Sequence, residues 1–124
     1  MLVRRAVLLG TTLACVGCVT VTTVDGQRLG LASAEFASYV ERVFREQNRI
    51  ADALAFALEG DAAGRADLME AEQSLLTACA GVNELATARR DGEGLGLKRS
   101  AANARSVPTC ERAAQAAASL LPAS

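Results

Sequence analysis

Four cysteines and no histidine set the chemistry open to this chain. Without imidazole, the commonest general base and the commonest metal ligand are both missing. Cys15 and Cys18 spell C-x-x-C, a spacing that suits a redox pair at a helix start beside a βαβ unit. It also suits a zinc site, when a second such pair or histidines complete the ligands. Neither context is present. Cys79 and Cys110 lie in no motif with a base or a resolving thiol, so they read either as a disulfide or as two small core side chains. Glu70 and Glu72, two residues apart on a helix, face different sides and do not make a paired acid and base. The serines have no imidazole to activate them. The run "GEGLGL" from Gly92 to Leu97 comes after a helical pattern instead of a strand, which makes it a poor phosphate cradle. These residue types argue against an enzyme and imply no cofactor and no metal, leaving a hydrolase or redox enzyme as the competing class.

The elements that would position these groups begin with a leader. Arg4 and Arg5 form a positive start, Ala6 to Ala14 an apolar run, and small residues precede a cysteine, the order of an export signal. A membrane-spanning helix needs about 20 apolar residues, and this run passes sooner into the threonine-rich "CVTVTTV". The segment resembles the signal of bacterial lipoproteins, whose leader ends in a lipobox and whose cysteine becomes the acylated first residue. Val16 and Gly17 precede Cys18 as that pattern asks, with Cys15 where leucine is usual; Leu13 and Ala14 precede Cys15, with Thr12 in the leucine position. The resemblance implies a signal peptide over residues 1–17 and lipid attachment, such as palmitate, at Cys18, with Cys15 as the alternative. The residue after the acylated cysteine is Val19, or Val16 for the other site, and not the aspartate that favours retention. The resemblance therefore implies the periplasmic face of the outer membrane over the inner membrane.

Composition bounds the rest of the chain. The 124 residues suffice for one domain, 51% hydrophobic and 22% charged, with 26 alanines and only 3% aromatics. Alanine favours helices and is depleted in strands, so closely packed helices are expected. The net charge is −1, and −3 once Arg4 and Arg5 are removed, which leaves no basic excess for nucleic acid.

The expected fold is all-α: a small antiparallel three-helix bundle over residues 33–121, preceded by a tether over residues 18–32. Within that tether "VTVTTV", "DG" and "QRLGL" spell a possible short hairpin turning at Asp25-Gly26 through a type I′ turn; an unstructured tether is the alternative. Ser33 offers an N-cap, and Phe36, Val40, Val43, Ile50, Leu54 and Ala57 repeat at helical spacing up to the stop at Gly60. Gln47 interrupts that stripe, either to fix register by a buried amide or to mark where the helix meets solvent or a partner. Arg45 and Arg49 read as surface charges, with Glu41–Arg45 and Arg42–Glu46 as i,i+4 pairs. The second helix is expected from about Arg65 to Arg90, with Leu68, Leu75, Val82 and Leu85 inward, Met69, Leu76 and Cys79 beside them, and a close crossing at Gly81. The third starts near Leu97 and should kink or restart at Pro108, capped by Ser106 or Val107.

A hairpin of helices turning at "DGEGLG" sets Cys79 and Cys110 at nearly the same height, roughly 18–20 Å from the turn at 1.5 Å per residue. An exported chain meets an oxidising compartment, so the two should bond. The functional expectation is a lipid-anchored, non-enzymatic envelope lipoprotein whose helical domain binds or scaffolds another envelope component. That architecture is similar to the small helical lipoproteins that pilot secretin subunits, although no motif carries the likeness.

Overall fold

The computed structural model describes residues 19–60 and 65–123. The order of elements is β1 (Thr20–Thr22), β2 (Arg28–Gly30), α1 (Ala34–Glu59), α2 (Ala66–Ala78), α3 (Ala80–Asp91) and α4 (Leu97–Leu120). Among the described residues the fold is thus mostly helical, with four helices where three were expected, and with a two-stranded antiparallel sheet.

Of the two readings for residues 19–31, the hairpin forms. Val21 pairs with Leu29, Thr20 with Gly30 and Thr22 with Arg28. The turn is not type I′, because Gly26 alone has positive φ, at 88°, and no non-glycine residue among those described does. Gly26 N donates to Thr23 O and Thr23 N to Gln27 O, at 3.0 and 2.8 Å, the three-residue loop that ends in a left-handed glycine. Thr23 Oγ1 also accepts from Gln27 N. A lone hairpin is marginal in water, and this one is held by burial of Val21 and Thr23 against the helices. Most of the expected tether is therefore folded.

Ser33 joins sheet to helix. Its hydroxyl accepts from Phe36 N at 3.0 Å, capping α1, and donates to Gly30 O at 2.7 Å, holding the end of β2. Phe36, Tyr39, Val40, Val43, Gln47, Ile50 and Leu54 form the buried face of α1.

The expected second helix is divided at Cys79, whose backbone (φ −99°, ψ 2°) leaves the helical region for one residue. Cys79 N still reaches Leu75 O, and Asn83 N reaches Cys79 O, each at 3.0 Å. α2 and α3 consequently run on from each other through a bend. α3 ends at Gly92, left-handed at φ 67°, with Gly92 N donating to Arg89 O and Glu93 N to Ala88 O, a Schellman closure.

α4 runs unbroken from Leu97 to Leu120 with Pro108 inside it, so the expected restart capped by Ser106 or Val107 does not occur. A proline lacks the amide that would bond four residues back. Here α4 packs on α1, α2 and α3 together, and Pro108 is itself buried, so tertiary packing holds the helix across the missing bond. Contacts of Gln47 with Asn83 and of Arg89 with Ala37 O run α1 antiparallel to α3, while Cys79–Cys110 and Glu84–Arg99 run α3 antiparallel to α4. Ile50, Leu54, Leu68 and Leu75 are the largest fully buried side chains. α4 fills its share of the core with Ala101, Ala104, Ala114 and Ala117.

Candidate functional site

The pair of thiols singled out in the sequence is joined in the structure. Cys79 and Cys110 form a disulfide with 2.06 Å between sulfurs and 4.6 Å between Cα atoms, closing a 31-residue separation, and both residues are fully buried. The bend at Cys79 places one half of the bridge at the junction of α2 and α3. The next turn explains why the helices come so close: a Cβ on Gly81 would press on Ser106 Oγ and lie 3.1 Å from Asn103 Oδ1 and 3.3 Å from Asn103 Cα. Gly81 is thus the close crossing expected from its cost inside a helix. A buried bridge of this kind offers no accessible sulfur for exchange, so it reads as a staple.

A second cluster has no counterpart among the sequence expectations. Glu111 is 5% exposed on α4, and its Oε2 accepts from Arg42 of α1 at 3.0 Å; the arginine side chain itself is 58% exposed. Arg42 also lies over the Tyr39 ring at 5.2 Å, within cation–π range. The Tyr39 hydroxyl is buried beside the Val24 backbone of the hairpin loop. Burial, followed by the negative charge of Glu111, pushes the phenol up to about 12, so it is neutral under ordinary conditions. The cluster ties hairpin, α1 and α4 together. It offers neither a nucleophile nor a base open to solvent, and its chemistry is that of a positioned ion pair.

The signal for this cluster lies in the spacing. Glu111 falls four residues after Val107 and three before Ala114, on the buried face of α4. Arg42 consequently does not make the expected i,i+4 pair with Glu46, which is taken by Arg49 at 2.8 Å and held below the usual carboxylate range by that hydrogen bond. Arg45 pairs with Glu41 as expected.

Gln47 is 4% exposed and its amide bonds Asn83 across the α1–α3 contact, which is the register reading of that position. Glu70 and Glu72 join no cluster with Cys or other acids that could hold a metal ion among the described residues. Cys15 and Cys18, the sequence-expected lipid sites, lie outside the described residues. No described helix is long and apolar enough to cross a membrane.

What remains is surface. Phe56 is 81% exposed on the last turns of α1. It stands over a cleft of about 680 Å³ shared with Ala57, Leu68, Leu120, Leu121 and Pro122. Met69 and Leu76, expected beside the buried stripe, are also turned outward at 57% and 59%. Comparison with known proteins gives no match: no family model, no characterised sequence and no solved structure aligns with the chain.

Proposed function

We propose that this chain is a lipid-anchored, non-enzymatic cell-envelope protein whose helical domain binds another envelope protein. The lipid is attached at Cys18, with Cys15 as the alternative, and the anchor faces the periplasm from the outer membrane. The lipobox-like residues and the buried disulfide support an exported, oxidising setting.

The observation that carries the binding role is Phe56. The ring, 81% exposed, joins Ala57, Leu120, Leu121 and Pro122 in one apolar patch left in water, and such contiguous patches support a contact surface. The partner it fits presents an apolar segment able to enter between the ends of α1 and α4, beside the Arg65–Asp67 ion pair.

The test uses the full chain in cells that export it. Crosslinking followed by mass spectrometry should recover one stoichiometric envelope protein, captured through residues around Phe56. Phe56→Asp should abolish that capture and leave the melting temperature unchanged, because the ring is already in solvent. A chain that yields no such partner, but turns over a substrate in a manner lost with one carboxylate, would replace the binding reading by the enzymatic one. Cys18→Ser should release the protein from the membrane fraction; if it does not, and Cys15→Ser does, the alternative cysteine is the anchor.

A further inference from the structure

The hairpin leaves almost no chain between the expected lipid and the folded domain. Cys18 is one peptide unit from Val19, so their Cα atoms are about 3.8 Å apart. Val19 O already accepts from Leu31 N at 2.9 Å, and Val21, two residues on, is buried. An unstructured tether, the alternative expected for residues 18–32, would let the domain swing freely. The structure instead holds Val19, the residue that follows Cys18 in the chain, against the end of β2, just ahead of α1.

That end of the domain has neighbours suited to a lipid surface. Leu31 lines a groove with Phe36, Leu85, Arg89 and Leu97. Leu97 is 51% exposed at the first residue of α4, and Lys98 next to it is exposed as well. The polar layer on each side of a bilayer is only about 5–7 Å thick, the difference between roughly 30 Å of hydrocarbon and 40–45 Å overall. Acyl chains on Cys18 that enter the hydrocarbon therefore hold Val19 at or within the headgroup layer.

We infer that the end of the molecule formed by Leu31, Leu97 and Lys98 rests on the bilayer, so that the lipid sets the orientation of the domain as well as its location. This rests on the anchoring reading proposed for Cys18. Leu97 then enters the interface and Lys98 meets anionic headgroups. Phe56 lies 22 residues along α1 from its first residue, roughly 33 Å at 1.5 Å per residue, and is held away from the membrane.

The chain contains no tryptophan, so one introduced tryptophan reports its own surroundings. Leu97→Trp and Phe56→Trp are made separately in the full chain, acylated by the producing cells and placed in vesicles of phosphatidylcholine and phosphatidylglycerol containing brominated phosphatidylcholine. Mass spectrometry and flotation with the vesicles establish anchoring first. Tryptophan at 97 should then lose most of its emission to bromine, and tryptophan at 56 should keep its emission. A Gly-Ser repeat inserted between Cys18 and Val19 should preserve flotation and relieve the quenching at 97. Floating, acylated protein in which position 97 is unquenched, or both positions are quenched alike, overturns the fixed orientation while leaving the anchor standing. A chain that carries no lipid and does not float overturns the anchoring reading, and the orientation falls with it.

Discussion

At the scale of single residues, the largest departures from ordinary behaviour gather around Tyr39. Its hydroxyl is buried beside the Glu111 carboxylate, and the resulting value of about 12 lies above the ordinary 10.0. The folded chain therefore keeps this proton where an unfolded chain gives it up, so the stability it contributes is complete below about pH 10. It falls as pH rises toward 12. Tyr39 is the one tyrosine in a chain without tryptophan, so tyrosinate absorbance reads it alone. Its midpoint in folded protein should lie near 12, and Tyr39→Phe should flatten the loss of stability over that alkaline range; a midpoint near 10 in folded protein would mean the hydroxyl meets solvent. Arg42→Ala leaves Glu111 buried without its cation. Because Arg42 is itself largely exposed, the expected cost is about 1–2 kcal/mol, between that of surface and fully buried pairs, measured by denaturant unfolding.

At the scale of elements, the close crossing of α3 and α4 at Gly81 can be probed by itself. Helix propensity alone says Gly81→Ala stabilises by about 1 kcal/mol. The added carbon would instead press on Ser106 Oγ and Asn103, so the net effect should be a loss of about 1–3 kcal/mol, as for other overpacked sites. Adding Ser106→Ala should recover part of it, and a stabilising single variant would show that the crossing has room to relax. Much of this geometry is legible in the sequence: the cap at Ser33, the stop at Gly60, the start at Leu97 and the approach at Gly81 each come from one residue's local chemistry. The illegible parts depend on tertiary contacts. Counting a single straight helix from 65 to 90 keeps Met69 and Leu76 near the stripe. In the structure α2 buries Leu68 and Leu75, and the residues one step on turn about 100° away into solvent. Pro108 likewise obeys its local rule in sequence and is overruled by burial among three helices. The spacing of Glu111 marks it as buried, but its partner is not legible, because Arg42 is 69 residues away along the chain. The candidate site is legible only in its cysteine pair, since the exposure of Phe56 depends on where α1 ends relative to α4.

At the scale of the whole molecule, the core is built from small side chains, with alanines lining α4 where larger residues would bury more area. Each large aliphatic contributes about 1.5–3 kcal/mol on burial, and few are available here. The disulfide compensates. Closing a 31-residue separation is worth about 3.7 kcal/mol by chain entropy, a sizeable part of the 5–15 kcal/mol that holds a typical domain. Unfolding the chain from Val19 onward in reductant and refolding it there should therefore lower its melting temperature by about 15 °C or more, using the usual 4–8 °C per kcal/mol for a domain of this size. Cys79→Ala and Cys110→Ala should each cause a similar drop, and the double variant should be no worse, because either substitution removes the same bridge. Additive losses, with no effect of reductant on the parent, would mean that the two sulfurs pack independently and that the small core suffices alone. The coupling has a consequence for compartment: a domain that takes this share of its stability from an oxidised bridge is at full strength only outside the reducing cytosol. The same chain retained there should unfold at the lower, reduced temperature.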